Sequence, residues 1–260
     1  MMWDMVAPMG NVLKTLAVCE AVSVHQPIGV RELAREIDMP KSTVQRALET
    51  LHAAGWLVRG EGGRWSLSLR CALIGGRAGQ AAALRDLARP TMERLRGITD
   101  ESVRLWAHDG DRIVLLENME SRQAVRSVLQ PGGTTIPLHA SAAGKAILAR
   151  LPEHEVDELL AQPLTALTPQ TITDPAVLRE QLRAIRRKGY GETHHEAWKD
   201  VGAVAAAIHD PNGRPVAAIA LALPMHRLTE QLTRRYGKAV AAAAEELSAE
   251  LAGTVYRAAC

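Results

Sequence analysis

The chain reads as an α+β protein in two parts: an N-terminal winged helix-turn-helix, and a C-terminal antiparallel sheet with helices on its faces. Three observations predict this. Two short amphipathic segments run directly into a glycine-tipped ribbon over residues 30–69. Two strand–turn–strand signals, at Asp109-Gly110 and Asp210-Pro211-Asn212-Gly213, stand among helical patterns in the remaining two-thirds. Between these regions, residues 69–87 (LRCALIGGRAGQAAALRDL) are Ala- and Leu-rich, which favours a helix, and are softened by Gly75, Gly76 and Gly79.

In the first part, Val30, Leu33, Ala34 and Ile37 repeat at i, i+3, i+4, i+7, and Val44, Ala47, Leu48 and Leu51 repeat the same spacing after a break at Asp38-Met39-Pro40. Both apolar faces therefore meet in one small core. Pro40 is expected in the first helical turn, where its missing N–H costs nothing and the neighbouring free amides can receive a phosphate. After Gly55, the runs Trp56-Leu57-Val58-Arg59 and Arg64-Trp65-Ser66-Leu67 flank Gly60-Glu61-Gly62-Gly63, a tip whose glycines tolerate positive φ.

With the apolar positions buried, the second helix presents Lys41, Ser42, Thr43, Gln45, Arg46 and Glu49 to solvent. Short hydroxyls, an amide and cations suit phosphates and base edges, so Lys41, Ser42, Thr43, Gln45 and Arg46 are candidate DNA-binding residues, with Arg59 and Arg64 at the wing. The bland alternative is a motif used only for protein contacts. Residues 1–70 carry eight Lys/Arg against seven Asp/Glu, so one copy is nearly neutral, and pairing of two modules on adjacent half-sites is expected.

The expected domains are 1–70 for DNA binding, 71–86 as linker helix and 87–260 for the sheet part. A phosphate loop at the linker glycines is disfavoured because no Gly-Lys-Ser/Thr follows. Of the 260 residues, 47% are hydrophobic, 23% are charged and none is Phe, so the core must come from Leu, Val, Ile and Ala. No apolar run approaches the roughly 20 residues of a membrane span and residues 1–10 lack the pattern of an export signal, so a cytoplasmic location is expected. Cys19, Cys71 and Cys260 are too few and too scattered for a disulfide framework or a zinc site, and neither metal nor cofactor is expected.

In the second part, a helix is expected over 87–98 and strands over 102–107 and 112–117. Helices follow near Ala142, over 153–160, and after Asp174 as N-cap with Pro175 at the first position. Strands 201–208 and 215–223 precede a closing helix over 228–251, with Leu228, Leu232, Tyr236, Val240, Ala243 and Leu247 along one side.

The segments PLHASAAGKAILA (137–149) and GYGETHHEAWKDVGAVAAAIHDPNGRPVAAIALALP (189–224), behind a winged helix, resemble the IclR family of bacterial transcriptional regulators. The resemblance spans nearly the whole chain. It implies a DNA-binding domain, a linker helix and a GAF-like effector-binding domain, assembled as a homo-dimer or homo-tetramer on double-stranded operator DNA, as a repressor or activator of operons that often serve the catabolism of aromatic or other organic acids. It also implies a ligand pocket over the sheet, closed by the start of the helix in the PLHASAAGKA motif. Ser141, Ala142, Ala143 and Gly144 are its candidate residues there, since helix N-terminal amides suit a carboxylate. Small residues that merely pack the helix on the sheet are the alternative.

Against relatives, an acidic ligand-binding position aligns with Thr193, a cysteine with Ala203, and two serines with Ala220 and Ala222. These four residues are assigned to a less polar pocket. Arg104, Trp106, His139, His194, His195 and Trp198 are further neighbours, for each of which plain packing is an equal reading. Lys145 points outward or pairs with an acid. Adjacent His194 and His195 on a strand face opposite ways and chelate poorly. The predicted effector is a small organic acid with an aromatic or otherwise apolar portion. The competing class is an enzyme with a regulatory N-terminal module, disfavoured because Ser141 has no evident acid partner and no paired-carboxylate or metal motif appears. A ligand-independent architectural protein would not need so large a second part.

Overall fold

The computed structural model describes residues 9–77, 79–127, 129 and 134–258. Two compact units divide at Gly79/Gln80, inside the expected linker.

The first unit contains α1 (Gly10–His25), α2 (Val30–Glu36), α3 (Lys41–Ala53), an antiparallel ribbon of β1 (Leu57–Arg59) and β2 (Trp65–Leu67), and α4 (Leu69–Arg77). Its core joins Val18 and Val22 of α1 to Leu33, Val44, Ala47, Leu48, Leu51, Ile28, Leu57 and Trp65. Val30, Ala34 and Ile37 are partly buried against that cluster, as their spacing requires. The helix α1 escapes the periodicity argument because it is apolar on more than one side: Val18 and Val22 face inward while Val12, Leu13 and Leu16 stay exposed. Pro40 precedes α3 as its N-cap, with φ −55° and ψ 132°, instead of standing inside the first turn. An extended ψ suits a cap residue and not a helical one. The wing tip bends through Gly62 and Gly63 at φ +65° and +71°.

In the second unit, α5 (Gly79–Thr99) is one helix that takes in both the C-terminal part of the expected linker and the helix expected over 87–98. Six antiparallel strands follow in the spatial order β5-β4-β3-β8-β7-β6, where β3 is Ser102–Asp109, β4 Arg112–Met119, β5 Thr135–Pro137, β6 Gly191–His194, β7 Val201–His209 and β8 Pro215–Pro224. Asp109 pairs with Arg112, so the hairpin turn is Gly110-Asp111, one residue later than the Asp-Gly signal suggests. The edge strands β5 and β6, of three and four residues, are too short to show alternation.

Four more helices cover the sheet: α6 (Ala142–Leu148), α7 (Glu153–Leu160), α8 (Pro175–Lys188) and α9 (Glu230–Ala258). Asp174 caps α8, accepting from the amides of Ala176 and Val177 at 2.8 and 3.1 Å. Alternate residues separate the two faces. Trp106, Ala205, Ala207, Ala218 and Ala220 pack with α6, α7 and α8. Val103, Leu105, Val204, Ile208, Ile219 and Leu221 pack with Met92 and Leu95 of α5 and Tyr236, Val240 and Leu247 of α9. Burial on both faces explains why β7 and β8 read as nearly unbroken apolar runs.

The helix α6 sits backbone-to-backbone on its supports. A Cβ at Gly144 would lie 2.1 Å from the Leu138 carbonyl oxygen, and one at Gly191 would lie 2.6 Å from that of Ala142. Glycine at these two places is therefore a packing requirement, and it brings the start of α6 down onto the sheet.

Candidate functional site

In the first unit the exposed face of α3 carries the predicted side chains. Lys41, Ser42 and Arg46 are exposed, and Thr43 and Gln45 are half-buried. Gln45 Nε2 donates to Glu49 Oε1 at 2.5 Å. The amides of Thr43 and Val44 already donate to the Pro40 carbonyl, at 2.9 and 3.1 Å, which leaves those of Lys41 and Ser42 for an anion. At the wing the two arginines differ. Arg59 is exposed, with its guanidinium carbon 5.5 Å from the Trp65 ring centre. Arg64 folds back, its Nε donating to the Pro27 carbonyl at 2.8 Å and its Nη2 to Glu32 at 3.0 Å. Arg64 thus fastens the wing to the start of α2, and the freer cation of the tip is Arg59.

In the second unit a cavity of about 370 Å³, its mouth included, lies between the sheet and α6. Arg104 and Trp106 come from β3, Ala220 and Ala222 from β8, Val201 and Ala203 from β7, Thr193 from β6 and Ile136 from β5. Ser141, Ala142 and Ala143 close it at the start of α6, and Ala197 and Trp198 close it from the loop after β6. The walls stand close, leaving space for little more than a water molecule between them. A ring-sized guest therefore needs one wall to yield.

Seven of the eight residues predicted for this pocket line it. Gly144 does not. Its amide donates to the Ser141 hydroxyl at 3.0 Å and its Cα faces Leu138, so it serves the cap and the seat of the helix. Ser141 is accordingly a capping residue whose hydroxyl oxygen is engaged in that bond. Of the wider neighbours, Arg104, Trp106 and Trp198 reach the cavity. His139 instead bonds the Thr165 carbonyl at 2.9 Å, and His195 Nδ1 accepts from the Asp200 amide at 3.1 Å. His194 ends β6 on the exposed side.

The fate of Lys145 follows from its position one turn into α6. Its side chain is 0% exposed and its Nζ lies 2.6 Å from Glu196 Oε2 and 2.8 Å from Gln181 Oε1. Burial pulls the ammonium below the usual lysine pKa, and Glu196 offsets part of that. The pair ties the loop of Glu196, Ala197 and Trp198 to α6, joining two cavity walls. Thr168 and Thr171 hold the same loop by donating to the His195 and Glu196 carbonyls, each at 2.7 Å. Glu196 carries no recognisable signal in the sequence, because its partner is 51 residues away in the chain. Arg104, 2% exposed, donates to the Ser127 carbonyl at 3.0 Å and hydroxyl at 2.8 Å, and its guanidinium carbon is 5.7 Å from the Trp198 ring centre.

The winged unit and the sheet unit match two known domains in the same order. Residues 12–61 match the IclR helix-turn-helix domain, and residues 77–249 match the bacterial transcriptional regulator IclR C-terminal domain. The chain belongs to the IclR family of transcriptional regulators. This IclR-family chain is 31% identical over 243 residues to the HTH-type transcriptional regulator KdgR of Escherichia coli, covering 93% of this chain and 92% of the relative. It is 30% identical over 230 residues to the transcriptional repressor IclR of the same organism, covering 87% and 84%. Among solved structures, an IclR homologue from Microbacterium hydrocarbonoxydans complexed with 4-hydroxybenzoate superposes with a TM-score of 0.77 at 26% identity, covering 93% of this chain and 99% of that one. The IclR-family regulator is thus a DNA-binding protein with a helix-turn-helix. No helix among its described residues is long and apolar enough to cross a membrane.

Proposed function

We propose that a small organic acid with an aromatic or apolar body occupies the cavity under α6 and thereby modulates operator binding by this regulator. The lining of the cavity carries this reading. Polar groups of Arg104 and Thr193 stand among Trp106, Trp198, Ala203, Ala220 and Ala222, a mostly apolar pocket with a few convergent polar points. The Thr193 hydroxyl has no hydrogen-bond partner among the described residues, although the residue is only 4% exposed, so it is available to a ligand. The 4-hydroxybenzoate bound by the Microbacterium homologue has the same combination of carboxylate and ring. The functional division we adopt is 1–70 for the operator, 71–86 as linker and 87–260 for the effector.

On the operator side, Ser42, Thr43, Gln45 and Arg46 read base edges, Lys41 meets phosphate, and Arg59 takes the wing contact. Pairing of two winged units supplies the affinity that a nearly neutral module lacks. Exposed Val12, Leu13 and Leu16 on α1 and Leu69 and Leu73 on α4 support such pairing. The regulator works in the cytoplasm, where its operator is, as a dimer or a pair of dimers. Catalysis finds no support at Ser141, whose hydroxyl caps a helix.

Gel-shift titration of the full-length protein on its own upstream intergenic DNA, with and without aromatic and aliphatic monoacids, tests the reading. A change in apparent operator affinity with at least one such acid is expected. Operator binding that no acid alters, together with absence of any ligand-induced thermal shift, would refute it.

A further inference from the structure

We propose that Arg104 is the anion anchor of this cavity and that the effector is a monocarboxylate whose acid group forks onto the Arg104 guanidinium while its body lies along Trp198 and Trp106. The proposal rests on the reading of the cavity as the effector site and names the charge that site selects.

Arginines are seldom buried unless paired with an acid. This molecule obeys that rule elsewhere: Arg227, 20% exposed at its side chain, forks onto Glu101 at 3.0 and 2.7 Å, and fully buried Lys145 holds Glu196 at 2.6 Å. Arg104 departs from it. At 2% exposure it makes no ion pair among the described residues, and its partners there are the neutral groups of Ser127 and, at a long 3.4 Å, the Asn118 amide oxygen. The acid nearest in influence, Glu120, is taken by Arg126 at 2.8 Å. Burial lowers the pKa of Arg104 to about 10, which still leaves it protonated at neutral pH.

A buried cation on a cavity wall, with no ion-pair partner among the described residues, attracts an anion that enters. The guanidinium fork matches a planar carboxylate. One unpaired cation balances one negative charge; a dianion would carry a second charge into walls of Ala203, Ala220 and Ala222 that cannot answer it. Trp198 beneath the guanidinium extends the same flat surface to the body of the acid. The competing role for Arg104 is purely structural, bracing the Ser127 segment against β3.

Calorimetry and tryptophan fluorescence on the full-length protein separate the two roles. The probes are benzoate, 4-hydroxybenzoate and hexanoate, with benzamide as the neutral isostere and phthalate as the dianion, titrated to millimolar concentrations against wild type, Arg104→Gln, Arg104→Lys and Ala143→Leu. Wild type should bind at least one monoacid, with benzamide and phthalate weaker by about 30-fold or more. Arg104→Gln should lose about the same factor for the acid and treat acid and amide alike, Arg104→Lys should keep part of the preference, and Ala143→Leu should abolish binding of every probe. Equal binding of acid and amide by wild type, undiminished acid binding by Arg104→Gln, or no monoacid binding at millimolar concentration would each overturn the proposal. If Ala143→Leu abolishes binding while Arg104→Gln does not, the cavity stands and the anchor falls; if Ala143→Leu changes nothing, the cavity reading itself falls. Should Arg104→Gln fail to fold, the acid-to-amide ratio on wild type and on Arg104→Lys decides.

Discussion

Replacing Glu196 by Ala strands the Lys145 ammonium in the interior, and the size of the penalty can be bounded from the structure. The two groups are 2.6 Å apart with side-chain exposures of 0% and 7%. At an effective dielectric constant of about 20, that separation corresponds to a gross attraction of roughly 6 kcal/mol. Desolvation opposes it, and removal of one partner of a buried pair usually costs about 3–5 kcal/mol. An upper limit comes from chemistry, because the lysine can release its proton. Neutralising an ordinary lysine at pH 7 costs roughly 5 kcal/mol. Gln181 remains as an acceptor at 2.8 Å, so the expected loss is near the lower end, about 3 kcal/mol.

The sign with pH follows from linkage. Lys145 already titrates below its ordinary value because of burial, and loss of Glu196 lowers it further. The unfolded chain then holds the proton more tightly than the folded one, so the variant gains stability as pH rises from its folded pKa towards the unfolded value. Urea denaturation at about pH 7 and about pH 9.5 should therefore show a deficit that shrinks at the higher pH. The double variant Lys145→Met with Glu196→Leu should fall within about 1 kcal/mol of wild type or above it. A Glu196→Ala deficit below about 1 kcal/mol at pH 7, or one independent of pH, would refute the account of this pair as a strap between the Trp198 loop and α6.

Three other expectations are independent of that pair. Arg46→Ala should weaken operator binding by about 1–3 kcal/mol and relax one base position, whereas Lys41→Ala should weaken all sequences alike and reduce the salt slope by about 1; anisotropy titrations at several salt concentrations measure both, and unchanged affinity in Arg46→Ala would remove α3 from base reading. Gly144→Ala should destabilise the second unit by about 1–3 kcal/mol or more, since its Cβ would lie 2.1 Å from the Leu138 carbonyl oxygen, and a melting temperature equal to wild type would contradict the packing of α6. His209 titrates below its ordinary value, first because of burial and then because of Arg150; its contribution is present above the unfolded value near 6.5 and is lost as pH falls through the folded one. His209→Gln should therefore flatten the decline in stability between about pH 7 and about pH 5, and an unaltered slope would assign that decline to other groups.

The sequence by itself determined what local periodicity can express. The faces of α2 and α3, the glycine-tipped wing, the Asp174-Pro175 start of α8 and the paired runs of β7 and β8 are legible because each depends on residues within one turn or one hairpin of each other. The alanines at 203, 220 and 222 were readable as pocket residues through their place in family motifs, and strand alternation sets all three on the cavity side. Tertiary structure decided the rest. Apolar on more than one side, α1 gives no contrast for a period to show. Arg64 could be told from Arg59 only once Glu32 and the Pro27 carbonyl were seen beside it. Gly144 left the pocket because its amide and Cα were already claimed by Ser141 and Leu138. Among the described residues Arg104 has no ion-pair partner and Lys145 has one, and both outcomes depend on groups distant in the chain that meet only when the sheet closes. Charge pairing in an interior is set by which side chains share a desolvated space, and that neighbourhood is a property of the folded topology.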